Sequence, residues 1–100
     1  MAYLFSYGSL QERRIQLELF DRELRAWPDE VSGFVLSKEK AYGAYPVLNE
    51  TKNPAHRISG MVFELSEKEL TKADVYEGEA YKRKEIELES GKRAWLYIAN

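Results

Sequence analysis

The residues Ala2-Tyr3-Leu4-Phe5-Ser6 form a near-continuous apolar run at the start of a 100-residue chain. No alternation separates a wet face from a dry one, so the run reads as a strand buried on both faces and therefore central in its sheet. One hundred residues allow one modest core, so a single domain over residues 1–100 is expected. Directly after the run comes Tyr7-Gly8-Ser9-Leu10. Gly8 has no side chain to block a ligand and permits positive φ, so successive amide N–H groups can converge there on a carboxylate or a developing oxyanion without any basic side chain. The plainer reading is a structural turn.

The remaining composition narrows the chemistry by exclusion. Fifteen Lys and Arg stand against seventeen Asp and Glu, interspersed, and no basic stripe offers the phosphate contacts that nucleic acid requires. No long apolar stretch and no signal-peptide pattern occur, which predicts a soluble, cytoplasmic chain with no membrane partner. Without cysteine, thiolate nucleophiles and cysteine-based zinc sites are impossible. A Ser-His-Asp triad would need His56, the only histidine, which sits in the polar stretch Asn53-Pro54-Ala55-His56-Arg57 and reads as an exposed loop residue. Neither a Gly-x-Gly-x-x-Gly nor a P-loop pattern provides a nucleotide seat. An enzyme built from this chain would use a carboxylate for proton transfer.

Ile15, Leu19 and Phe20 recur at helical spacing between Gln11 and about Arg22, and Pro28 forbids continuation of that helix. Strands are expected at Gly33 to Leu36 and Ile58 to Leu65, the latter with Gly60 at a bulge, and a brief extended piece at Val47-Leu48. Ser66-Glu67-Lys68-Glu69 is a capping box, with Leu65 and Leu70 placed to staple across it. The apolar stripe of that helix runs Leu70, Ala73 and then Asp74 and Glu77, and Gly78 is expected to end it as a left-handed residue. Arg83 to Glu89 and Arg93 to Ile98, joined by Ser90-Gly91-Lys92, form a hairpin with Trp95 and Tyr97 on one face.

Two carboxylates thus fall on an inward-facing stripe. Glu77, in the last turn, opposes the helix dipole and loses hydration, so its pKa should rise into the range of a general base near neutral pH. The alternative is a small roll of the helix that sends Glu77 to solvent or to Lys82 or Arg83. Asp74 is read first as a partner for backbone or tyrosine hydroxyl groups and second as a direct participant.

Taken in order, Tyr7-Gly8-Ser9-Leu10, Gly43-Ala44-Tyr45-Pro46, Gly60-Met61-Val62-Phe63-Glu64-Leu65 and Asp74-Val75-Tyr76-Glu77-Gly78 with Tyr81-Lys82-Arg83 resemble the gamma-glutamylcyclotransferase-like family over nearly the whole chain. The resemblance implies an α+β fold, a small mixed β-barrel of about five strands with short flanking helices and the ligand at one mouth. It implies that Tyr7, Gly8, Ser9 and Leu10 bind a γ-glutamyl group through backbone amides and that Glu77 is the acid–base catalyst. The reaction it implies is a transferase- or lyase-type cyclisation giving 5-oxoproline, with no metal or cofactor and a small molecule as the partner. Tyr81 is expected beside the ligand, with Asp74 and Tyr45 in support. Tyr76 and Trp95 are further aromatic candidates for the pocket, against the plainer reading of core residues. A non-catalytic module that binds a small carboxylate or another protein on the same fold is the alternative; an oligonucleotide-binding barrel conflicts with the net charge of −2.

Overall fold

The computed structural model describes residues 1–38, 40–43 and 45–100; Glu39 and Ala44, and with Ala44 one position of the Gly43-to-Pro46 motif, lie outside the described residues. The apolar run becomes strand β1 (Ala2–Ser6), the middle of a five-stranded sheet. Its neighbours are β5 (Arg57–Leu65), antiparallel, and β7 (Arg93–Ala99), parallel, with β2 (Arg25–Ser32) outside β5 and β6 (Tyr81–Glu87) outside β7. A two-stranded ribbon, β3 (Phe34–Leu36) and β4 (Leu48–Glu50), and two helices, α1 (Arg13–Phe20) and α2 (Glu67–Glu77), complete the architecture.

Burial of β1 on both faces follows from what covers each side. Ala2 and Leu4 pack in a cluster with Ile15 and Phe20 of α1 and Leu70 and Ala73 of α2, while Phe5 packs with Phe34 of β3 and Leu48 of β4. Leu4 and Phe5 are each 1% exposed, and burying two such side chains contributes roughly 1.5–3 kcal/mol apiece.

The sheet is open, so a barrel describes it only loosely. The edge strands β2 and β6 do not pair; beyond β6, the amide of Glu89 donates to the Glu30 carbonyl at 2.9 Å, and Ser90 bonds the Asp29 carboxylate. The hairpin tip therefore reaches β2, but the strand before it diverges. β2 itself lies where the sequence pattern predicts no strand. Its composition, Arg-Ala-Trp-Pro-Asp-Glu-Val-Ser, lacks clean alternation, and Pro28 sits opposite Met61. An edge strand tolerates proline because one of its hydrogen-bonding sides has no neighbour.

The expected first helix is shorter than its spacing suggests. A single 3₁₀ turn at Ser9–Gln11 precedes α1, which stops at Asp21 in a left-handed conformation (φ 59°). Gln16, buried on α1, donates to the Leu10 carbonyl at 2.8 Å and accepts from the Leu24 amide at 2.9 Å, fixing the turn after β1 to the entry of β2. Gly60 is not at a bulge: the β2–β5 register is unbroken across it. A Cβ there would overlap the Ser6 carbonyl oxygen and stand 2.8 Å from the Phe5 ring, so close approach is what requires glycine.

The start of α2 forms as its sequence dictates. The Glu69 amide donates to Ser66 Oγ at 3.1 Å and the Ser66 amide to Glu69 Oε1 at 2.8 Å. Glu69 also takes a two-pronged contact from Arg22, Nε and Nη2 each at 2.8 Å, which holds its carboxyl down at about 2 and ties the exit of α1 to the start of α2. At the other end the expectation needs correction. Gly78 has φ 78° but ψ −169°, a region accessible to glycine and distinct from the left-handed helix.

Two substitutions test this scaffold. Ser66→Ala should lose about 0.5–2 kcal/mol through the lost cap, and Gly60→Ala should lose about 1–3 kcal/mol through overpacking against β1. Both are read as urea midpoints; an unchanged midpoint in either would refute the corresponding contact.

Candidate active site

The C-terminal ends of β1, β7 and α2 and the start of β6 meet at one cleft of about 140 Å³. Tyr7, Gly8 and Ser9 form one wall, Tyr76, Glu77 and Tyr81 another, with Tyr97 from β7 and Tyr42, Tyr45 and Pro46 from the loop before β4. The structure thus brings together most of the residues singled out from the sequence. Leu10 differs, because its side chain is buried in the core at 3% exposure and only its backbone faces the turn. Trp95 lies elsewhere, under the Arg83 guanidinium at 4.4 Å. His56 also lies outside the cleft; it is half-buried at the end of an exposed loop, its Nδ1 2.9 Å from Thr51 Oγ1.

The turn after β1 does not use the freedom that glycine allows. Gly8 has φ −134° and ψ −147°, and its amide donates to Ser6 Oγ at 3.3 Å. What glycine provides is space: a Cβ would meet only Pro46 Cγ, at 3.6 Å across the cleft. The Gln11 amide closes the 3₁₀ turn onto the Gly8 carbonyl, and the amides of Ser9 and Leu10 begin that turn, where a helix start has no internal partners for them.

Among the described residues, Glu77 is the one charged residue lining the cleft. Its carboxyl makes neither a hydrogen bond nor an ion pair among the described residues, and burial pushes its pKa up to about 7. The roll toward Lys82 or Arg83 does not occur. Arg83 is engaged instead with Asp74: Nη2 donates to Oδ2 at 3.1 Å, and Nε lies 2.9 Å from Oδ1 but too far off axis for a hydrogen bond. Asp74 also accepts from the Tyr97 hydroxyl at 2.7 Å, as its reading as a tyrosine partner anticipated.

Six tyrosines among the described residues line the cleft that holds the carboxyl. The Tyr7 hydroxyl donates to the Tyr97 carbonyl at 2.7 Å, the Tyr81 hydroxyl to the Pro46 carbonyl at 2.7 Å, and Tyr76 shares a 2.7 Å hydroxyl contact with Ser9. Burial raises Tyr7 and Tyr97 well above the usual range and Tyr81 to about 12; the bond to Asp74 adds to it at Tyr97, and the negative charge of Glu77 adds at all three. They stay protonated wherever Glu77 titrates. Tyr97 and Tyr42 were not singled out from the sequence as site residues. The i, i+2 alternation of Trp95 and Tyr97 was the available signal for the first; for the second there was none.

The raised pKa has a consequence for stability. Below the ordinary carboxylate value of 4.5, Glu77 is protonated whether folded or not and costs nothing. As pH climbs from there to about 7 the unfolded chain releases its proton first, and stability falls by roughly 3 kcal/mol. Glu77→Gln should therefore gain on the parent by roughly 1–3 kcal/mol between pH 4 and pH 8. Denaturant unfolding at the two pH values measures it; an equal difference at both would mean that the carboxyl is solvated.

The same arrangement of strands and helices occurs in solved structures. A protein of Arabidopsis thaliana known in solution superposes with a TM-score of 0.82 at 23% identity, the match covering 98% of this chain and 61% of that one. An uncharacterised protein of Pyrococcus horikoshii gives 0.70 at 18%, covering 99% and 78%, and a gamma-glutamyl cyclotransferase gives 0.78 at 16%, covering 99% and 66%. The chain thus spans less than two thirds of the Arabidopsis protein, and identities this low carry the fold alone. No curated protein sequence matches the chain. The family model described as gamma-glutamyl cyclotransferase, AIG2-like, matches residues 4–100, a span that includes the turn after β1, the capped helix and the cleft carboxylate. The chain belongs to that family.

Proposed function

We propose that the chain catalyses cyclisation of a γ-glutamyl amide or peptide, releasing 5-oxoproline and a free amine. The observation that supports this reading best is a carboxyl, unpaired among the described residues and with its pKa pushed up to about 7, that shares a small cleft with the Tyr7-Gly8-Ser9 turn.

Such a substrate carries both its nucleophile, the α-amine, and its electrophile, the γ-carbonyl. The protein's task is to fold it into attack geometry, where intramolecular reactions reach effective molarities of about 10⁵–10⁸ M. Glu77 takes a proton from the α-ammonium. The freed amine adds to the γ-carbonyl, closing a five-membered ring and placing a negative charge on the carbonyl oxygen. Collapse of that intermediate breaks the amide C–N bond as Glu77 returns its proton to the departing amine, and the proton still in excess on the ring nitrogen passes through Glu77 to that amine, which leaves as an ammonium beside the neutral lactam. One carboxyl serves both transfers because its pKa lies between the states it must visit. The amides of Ser9 and Leu10 would hold the α-carboxylate or the oxyanion, where one donor is worth about 3 kcal/mol.

Glu77→Gln keeps the shape and removes the base, so turnover should fall by about 10²–10⁴-fold with ligand affinity little changed. In the parent, kcat/KM should rise with pH through about 7, and that limb should vanish in the variant. Mass-spectrometric detection of 5-oxoproline from a panel of γ-glutamyl dipeptides and γ-glutamylamines is the assay. Binding of 5-oxoproline without turnover of any member would leave the non-catalytic carboxylate-binding reading.

Gly8→Val should still fold, since Gly8 has negative φ and a Cβ there meets only Pro46 at an ordinary contact distance. Its branched side chain would occupy the cleft and weaken 5-oxoproline binding severely. Parent-like affinity by calorimetry would remove the turn from the site.

A further inference from the structure

Tyr42 is 63% exposed, yet its hydroxyl is tied at both ends. It donates to the Glu77 carbonyl at 3.3 Å and accepts from the Ala80 amide at 3.2 Å, spanning the break between α2 and β6. A helix ends with carbonyls that have no internal partner, and here a side chain from a loop 35 residues earlier in sequence meets one of them. The hydroxyl lies directly over Gly78, whose added Cβ would stand 2.5 Å from it. Gly78 is thus confined twice, by its own backbone angles and by the atom above it.

The loop that delivers Tyr42 is itself strained. Tyr42 has φ 52°, uncommon outside glycine, and Gly43 follows at φ 75°. Ala41 and Tyr45 close the loop with paired backbone bonds of 2.9 and 3.0 Å, and the Tyr42 and Tyr45 rings meet edge to face at 6.5 Å over the cleft mouth. A non-glycine residue held in an unfavourable conformation, with an exposed ring and an anchored hydroxyl, points to a role at the site it covers.

We propose that Tyr42 is a positioning residue for Glu77: its hydroxyl latches the loop before β4 onto the end of α2, fixing the backbone that carries the carboxyl and closing the cleft mouth. The catalytic consequence rests on the cyclisation reading; the latch does not. With the latch open, Glu77 gains conformers and water reaches its carboxyl. The titratable groups facing that carboxyl are Tyr7 from the end of β1, Tyr81 from β6 and Tyr97 from β7, with Tyr42, Tyr45 and Tyr76 lining the same cleft; Tyr42→Phe removes one of these hydroxyls, a minor influence on Tyr81, and leaves the others in place.

The test is Tyr42→Phe in the full chain, which keeps the ring and removes the hydroxyl. Carboxyl carbon NMR of Glu77 follows its titration, and 5-oxoproline release follows turnover. The titration midpoint should move from about 7 toward the ordinary carboxylate value, and kcat should drop by about tenfold or more with KM changed far less, as misplacement of a reacting group predicts. An unchanged midpoint together with unchanged kcat would overturn the latch. A parent without turnover on any γ-glutamyl substrate would refute the cyclisation reading alone, since the NMR midpoint still decides the latch. Amide exchange in the parent gives a second decision that needs no variant. Ala80, bonded to the hydroxyl, should exchange more slowly than Glu79, whose amide has no partner among the described residues; equal rates would overturn the latch as well.

Discussion

Burial of β1 on both faces is the constraint from which the site follows. With Leu4 packed under the two helices and Phe5 packed under the β3–β4 ribbon, the strand cannot slide or roll without exposing one layer or the other. Its C-terminal end is thereby fixed in space, and the Tyr7-Gly8-Ser9 turn emerges from it at a set position. Gln16 holds the far end of that turn through the Leu10 carbonyl. The turn is held at both ends, by packing before it and by a buried side chain after it.

The opposite wall is held differently. Helix α2 starts at a reciprocal cap reinforced by Arg22 and ends where Gly78 breaks it. The interval between these two signals puts Glu77 in its last turn, and packing of Leu70 and Ala73 into the core sets which way that turn faces. Asp74, one turn earlier on the same stripe, is matched by Arg83 and the Tyr97 hydroxyl. Glu77 has no such partners among the described residues. Two carboxylates of one helix thus have opposite environments, one neutralised by a guanidinium and the other left against tyrosine rings, and the unmatched one carries the raised pKa.

Tyrosine suits this cleft for an electrostatic reason. The rings of Tyr7, Tyr76, Tyr81 and Tyr97 withhold water from the carboxyl while their hydroxyls find a carbonyl, a carboxylate or another hydroxyl, so desolvation is achieved with few unsatisfied polar groups. A basic residue in the same place would pair with Glu77 and pull its pKa down again.

The sequence by itself determined what depends on neighbours along the chain. The β1 run, the Ser66 capping box, the β6–β7 hairpin and the position of Glu77 on the apolar stripe of α2 are set by periodicity and by contacts within a few residues. They were legible for that reason. Tertiary structure decided what depends on a distant partner. β2 forms because β5 offers it a free edge, although its own residues, Pro28 included, argue against a strand. Gly60 is needed for the atoms that approach it, Ser6 and Phe5 in the next strand, and not for a bulge, while at Gly8 positive φ is not used and a Cβ would make only an ordinary contact with Pro46 across the cleft. The sheet stays open because only the hairpin tip reaches β2. Tyr42 and Tyr97 enter the cleft through contacts with α2 that no local pattern records. Local interactions fix the elements and the facing of their side chains; only long-range packing, which depends on all of them at once, chooses which surfaces meet.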